Sequence, residues 1–303
     1  MVSLARSDRA AELAGAAGGE VVKGDLADLT PGGTPPGWAS ALAGSGAVIH
    51  AAARMEFWGP DAGFRRDNFV PAVALHETAA AAGVGRFVVI SAASVSTGSQ
   101  RAAVVDERTD NGRPNIAYSR VKLATERALL SADAPAMDTV VLRPPFVWGA
   151  GMATASELAE LAGAGGWTWI DQGRHIMDFI HVRNLAVAAE LALTRGRPGG
   201  VYYVTDAAPM PIREFMTQLL ATQGVDVRGA RSVPLRIAAP LGAVLDVGAR
   251  LLRRPKPPML TNWLVAFLGR DRSYDITAAR RDLGYTPDVD LAEGFAEMTP
   301  ADL

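Results

Sequence analysis

The feature that most constrains this chain is the alternation, through its first half, of short Val/Ile-rich runs with alanine-rich stretches of helical length. Runs at 2–5, 20–22, 47–50, 86–91 and 139–142 have the compactness of strands buried on both faces. Helices are predicted between them over 8–17, 38–43, 68–82 and 115–130. Gly83 and Gly85 stop the third helix just before the strand at Phe87. Strand and helix taken in turn predict an α/β fold: a doubly wound parallel sheet, right-handed crossovers, and helices on both faces.

The second half is broken by prolines at 144, 145, 198, 209, 211, 234, 240, 255, 257 and 258. Segments 177–181 and 200–204 are expected to return to the sheet. The 303 residues suffice for about two domains. We read 1–205 as the sheet domain and 206–303 as a smaller, mostly helical lobe, to which 149–175 contributes. Open α/β sheets bind ligands at the carboxyl ends of their strands, so the lobe is expected to shape a pocket for a small molecule.

Charge and composition exclude several classes. Thirty basic and 32 acidic side chains leave a net −2, without the basic excess that a nucleic-acid partner requires. The absence of cysteine removes disulfides, thiolate metal sites and a cysteine nucleophile, and suits a reducing cytoplasm. The four histidines have no metal-ligand spacing, and no G-x-S-x-G elbow is present. The apolar stretch 257–269 is shorter than the ~20 residues of a membrane span. A basic run (Arg250, Arg253, Arg254, Lys256) flanked by apolar 237–245 and 259–268 has the composition of a membrane-surface segment; the reading we favour for it is a solvated helix face.

One pair carries chemistry. Of the 30 basic residues 27 are arginine, so the three lysines are informative. Lys122 follows Tyr118 by four residues in Y-S-R-V-K, about one helical turn, which puts phenol and ammonium on one face. A positive charge stabilises phenolate and lowers the tyrosine pKa from about 10 toward working pH, the requirement for acid–base catalysis. The plainer alternative is an amphipathic helix with a half-buried tyrosine and a surface lysine.

Context decides between them. Gly24-Asp25-Leu26, Val48-Ile49-His50-Ala51-Ala52-Ala53, Phe57-Trp58-Gly59-Pro60, Asn68, Val84-Gly85-Arg86-Phe87, Tyr118-x-x-x-Lys122, Leu142-Arg143-Pro144-Pro145 and Met177-Asp178-Phe179-Ile180-His181-Val182 stand in that order. In these elements the chain resembles the extended short-chain dehydrogenase/reductase superfamily, in its NAD-dependent epimerase/dehydratase and 3β-hydroxysteroid dehydrogenase-like branch. The resemblance implies a Rossmann-like NAD(P)-binding domain. Tyr118 would be the general acid or base, and Lys122 would hold the nicotinamide ribose and depress the tyrosine pKa. Asp25 and Leu26 would flank the adenine, Ala51, Ala52 and Ala53 would line the cofactor, and Pro144, Phe146 and Val147 would pack near the nicotinamide. Arg6 and Ser7 stand where such enzymes meet the adenosine ribose, and an arginine there favours NADP. A homodimer through the helices at 68–82 and 115–130 is implied as well.

The chain departs from the family pattern twice. No strand and G-x-x-G-x-x-G turn precede the strand at 2–5; Gly15, Gly18 and Gly19 follow a helical run and read as its end. The phosphate cradle is therefore unmatched, two strand groups are expected to keep open edges, and we expect the coding start to lie upstream. Secondly, the family's catalytic Ser or Thr would fall on Ala92, leaving Ser94 and Ser91 as candidates; either hydroxyl also suits loop capping. The expected activity is oxidoreduction between a secondary alcohol and a ketone on an apolar, steroid-like molecule. The alternatives are a cofactor-free binding or isomerase/cyclase role and a nucleotide-sugar epimerase or dehydratase.

Overall fold

A computed structural model describes residues 1–97, 104–109, 114–132, 134, 136–252 and 254–299. They form two compact units: Met1–Ser91 with Ala117–Val141 and Ala192–Val201, and Ala92–Ile116 with Leu142–Leu191 and Tyr202–Leu303.

In the first unit, strand β1 (Val2–Ala5) leads into helix α1 (Asp8–Ala16). Ser7 Oγ caps this helix by accepting from Ala10 N at 3.2 Å, and Gly18 ends it at φ +79°, as the glycine spacing predicts. Strand β2 (Glu20–Lys23) returns parallel to β1 in the register Val2↔Glu20 to Ala5↔Lys23. Gly24 follows because nothing larger fits: a Cβ there would lie 2.3 Å from the Trp38 ring. Residues 37–42 form a 3₁₀ helix in place of the α-helix expected at 38–43.

Strands β3 (Ala47–His50) and β4 (Arg86–Ile90) pair in parallel. With β5 (Asp138–Arg143) and β6 (Val201–Tyr203) they make a four-stranded sheet in the order β6-β5-β4-β3. Helices α2 (Val70–Ala81) and α3 (Ala117–Leu130) contribute to its core, where Leu75, Ala79 and Leu129 pack with Phe87, Val89 and Val141. Buried Arg86 is fully occupied, donating to Ala192 O at 2.9 Å and pairing with Asp138 at 3.3 Å. As the sequence predicts, β1–β2 and the four-stranded sheet are separate groups among the described residues.

The helix expected over 68–82 starts earlier. Asp61–Phe64 is α-helical, Arg65–Phe69 widens into a π-turn, and α2 resumes at Val70. Pro71 explains the break: it has no N–H to donate to the turn before it.

The second unit is built on aromatic packing. Phe179 and Phe215 stack with centroids 3.5 Å apart and planes 6° apart, beside Trp148 and Phe295. Its strands are short: Phe146–Trp148 runs parallel to Phe179–His181, and Thr168–Ile170 parallel to Arg231–Val233. Asp206 ties them together, accepting from Trp148 Nε1 at 2.8 Å, His181 N at 2.8 Å and Asn184 Nδ2 at 2.7 Å. Burial raises the Asp206 carboxyl pKa, and these donors oppose that rise. Further on, helix α4 (Leu235–Leu251) packs on α5 (Asn262–Leu268). Gly242 permits their close approach, since a Cβ there would stand 2.9 Å from Val265 Cγ2.

Candidate active site

Helix α3 presents Tyr118 and Lys122 from adjacent turns, with the Lys122 ammonium 6.0 Å from the Tyr118 ring centroid. Lys122 is 5% exposed, which rules out the surface lysine of the plainer alternative. It donates to Ile90 O at 2.9 Å, fastening α3 to the carboxyl end of β4. Arg120, between the pair, clamps Asp61 with two hydrogen bonds of 2.9 and 2.6 Å. Phe57 and Phe64 meet the Tyr118 ring edge-on at 6.4 and 6.3 Å. The phenol is thereby held in one place by an aromatic wall and a helix turn.

The electrostatics correct one expectation. Burial pushes the Tyr118 hydroxyl up to about 12, where the neighbouring ammonium was expected to bring it down. The same burial lowers Lys122 to about 8, with Glu126 one turn on pulling the other way. Desolvation penalises the charged form of either group and outweighs their mutual attraction at this distance. At neutral pH the pair therefore stands as neutral phenol and ammonium. His50, at the end of β3, is lowered to about 3 by burial, and secondarily by the Lys122 charge, so it stands as neutral imidazole.

Lys122 also carries a stability signature. The unfolded chain binds more protons than the folded one between about 8 and the ordinary lysine value of 10.5. This group therefore makes stability rise with pH across that window. In urea titrations, Lys122→Met is expected to remove that rise; an unchanged slope between pH 8 and 10.5 would contradict the burial assigned to the ammonium.

Other expected site residues divide between the units. In the first, Ser91 follows β4 directly, and its buried Oγ has no hydrogen-bond partner among the described residues. Ala51, Ala52 and Ala53 follow β3 and are exposed. Arg6 and Asp25 approach each other at 3.9 Å after β1 and β2. Asp25 caps the turn that begins at Leu26, accepting from Ala27 N at 2.9 Å, and Ser7 is engaged as the α1 cap. In the second unit, half-buried Ser94 lies in the turn Ala93–Ser96, which Ala93 N anchors to Pro144 O at 2.8 Å. Phe146 packs edge-on to Phe179 and Phe215, and Val147 pairs with Ile180.

Asn68 is the residue whose role the sequence reading did not assign. Buried in the π-turn, it accepts from Arg54 N at 2.7 Å and donates to Arg54 O at 2.9 Å. It thus fixes the segment after Ala51–Ala53 through both backbone groups of one residue. The only signal in the sequence was its place in the ordered motifs.

The residues around Tyr118 fit the ribose end of a nicotinamide cofactor. Lys122 uses one of three N–H donors on Ile90 O, and Ser91 Oγ is a buried hydroxyl in want of a partner. Among the described residues no G-x-x-G-x-x-G turn follows a strand to cradle the diphosphate.

The NAD dependent epimerase/dehydratase family model matches residues 2–205. A Stigmatella aurantiaca protein named 4-hydroxy-2-methyl-3-oxo-4-farnesyl-3,4-dihydroquinoline-1-oxide ketoreductase is 32% identical over 99% of this chain and 88% of its own length. A Mycobacterium tuberculosis 3 beta-hydroxysteroid dehydrogenase/Delta 5-->4-isomerase is 30% identical over 93% of this chain and 78% of its own. In fold, the chain matches a dTDP-glucose 4,6-dehydratase from Streptomyces venezuelae, solved with NAD, at a TM-score of 0.69 and 21% identity over 98% of this chain and 85% of that one. With its ordered motifs, its Rossmann-like sheet and the Tyr118–Lys122 pair on one helix face, the chain belongs to the NAD-dependent epimerase/dehydratase family, among the extended, 3β-hydroxysteroid dehydrogenase-like short-chain dehydrogenases/reductases.

Proposed function

We propose that this protein is an NAD(P)H-dependent reductase of a ketone on an apolar molecule. The observation that carries the reading is the buried Tyr118–Lys122 pair, fastened to the end of β4 beside the unpartnered Ser91 hydroxyl. When bound, the nicotinamide supplies the hydride. Tyr118 Oη supplies the proton to the oxygen that becomes the alcohol. A hydroxyl raised to about 12 is protonated at neutral pH, which suits an acid in ketone reduction and not a base in alcohol oxidation. Lys122 keeps positive charge beside that oxygen as it turns anionic and offers its remaining N–H groups to ribose hydroxyls. Ser91 Oγ is the hydroxyl we assign to hydrogen-bond the carbonyl in place of the residue missing at Ala92; Ser94 is the alternative.

The names of the relatives support this reading, since one reduces a 3-oxo group on a farnesyl-bearing ring and another acts on a 3β-hydroxysteroid. We assign NADP over NAD because Arg6 is 80% exposed at the side chain and free to swing from its long contact with Asp25 toward a 2′-phosphate.

The test is NADPH oxidation by the full chain in the presence of a 3-oxo ester with a long alkyl tail. Consumption that requires both protein and ketone supports the reading. Lys122→Met is expected to raise the KM for NADPH and lower kcat together, because one side chain serves both ends of the site. Saturable NADPH binding with no reduction of any ketone would favour the epimerase or dehydratase alternative.

A further inference from the structure

Helix α4 is built inside out. The side chains it turns toward α5 and the core are small or polar: Ala238, Gly242, Asp246 and Ala249 are buried. Leu235 at its start packs toward Ile170 and Val265, but the large aliphatic residues beyond it point outward. Ile237, Leu241, Val244, Val247, Leu251 and Leu252 run from 48% to 79% exposed. At about 100° per residue these six fill one continuous arc of about 140°. Scattered exposed leucines require no explanation, but a contiguous apolar strip along a whole helix does.

The charge around the strip is equally one-sided. Between residues 229 and 270 stand seven basic residues and one acid, Asp246, in a chain whose total is −2. That acid is buried and taken up by Arg250. Arg236 and Arg250 are exposed along one border of the apolar arc, and Lys256 is exposed just beyond the helix end. Their aliphatic stems can follow the apolar strip while their charged ends reach past it.

We propose that α4 is a membrane-docking helix that lies in the interface of an anionic phospholipid bilayer. The apolar arc enters the boundary between headgroups and acyl chains, and Arg236 and Lys256 meet the headgroup phosphates. Among the described residues no helix is long and apolar enough to cross a membrane, so the contact is peripheral. A second copy of the chain is a poorer occupant. Antiparallel pairing of two such helices would set Arg236 of one against the basic end of the other, like charge on like. Nucleic acid has no use for the aliphatic arc.

The experiment is co-sedimentation of the full chain with vesicles of phosphatidylcholine alone or with about 30% phosphatidylglycerol. Binding is expected at least tenfold stronger to the anionic vesicles, and is expected to fall when salt is raised to about 0.5 M. Val244→Gln/Val247→Gln/Leu251→Gln changes only exposed positions and is expected to cut binding tenfold or more, with the circular dichroism melt preserved. Arg236→Gln/Lys256→Gln keeps the apolar arc and is expected to abolish the preference for phosphatidylglycerol. Failure of the folded parent chain to bind anionic vesicles would overturn the proposal. So would a dimer that the triple variant converts to monomer while vesicle binding stays unchanged.

Discussion

Tyr118→Phe is expected to lower kcat for ketone reduction by about 10²- to 10⁴-fold, the range of a positioned general acid. The phenyl ring of the variant keeps the edge contacts with Phe57 and Phe64 and the place on α3, so the loss is confined to one hydroxyl. KM for NADPH should therefore change little, and the thermal melt should stay within about a degree of the parent's, as for a change that leaves core packing intact. Steady-state kinetics with separate kcat and KM values makes the distinction. A variant retaining more than a tenth of the parent kcat would show that the proton comes from elsewhere, and the case for this helix as the catalytic element would fail.

The largest structural effect is expected at Phe215. Its ring is fully buried, stacked on Phe179, and meets Trp148 and Phe295 at 5.4 and 5.5 Å. Phe215→Ala removes the central ring of that group and leaves a cavity whose walls are other rigid rings, which relax poorly. A loss of about 3–5 kcal/mol is expected, transfer and cavity terms together. The readout is the urea midpoint followed by tryptophan fluorescence, to which Trp148 itself reports. A shift worth less than about 1 kcal/mol would mean that this core collapses around the gap instead of holding it open. Because the chain has two compact units, a biphasic transition in which only one phase moves is also consistent with the assignment.

The first unit was largely legible in the sequence. Val2–Ala5 and Ala47–His50 are strands with the expected limits, β4 ends one residue sooner than expected, and β5 is one residue longer at each end. Burial on both faces holds for β4 and β5. Strands β1 and β3 form as expected but leave Val2, Leu4 and Ile49 exposed, and Gly83, at φ +82°, stops the helix before β4. The Tyr118–Lys122 pair was readable because helical spacing fixes which side chains share a face.

The remainder was set by packing that no local pattern encodes. The π-turn at Arg65–Phe69 has the periodicity of an ordinary helix in sequence, and only its backbone shows that it places Asn68 on Arg54. The direction of the Tyr118 shift depends on how much of the chain surrounds the phenol, which spacing does not reveal. Strands of two or three residues in the second unit fall below the length at which alternation can be recognised. Helix α4 defeats the amphipathic rule for a different reason. Its apolar stripe is present and periodic, but the core-facing positions went to small residues and the stripe to the surface.

The most direct test of the proposed reaction is isotopic. NADPH carrying deuterium at the transferable nicotinamide position is incubated with the full chain and a long-tailed 3-oxo ester, and the product alcohol is analysed by mass spectrometry. One deuterium is expected on the carbinol carbon with the parent protein, with yield reduced in Tyr118→Phe in proportion to its kcat. An alcohol formed without the label, or cofactor consumed with no alcohol formed, would contradict the proposed reaction.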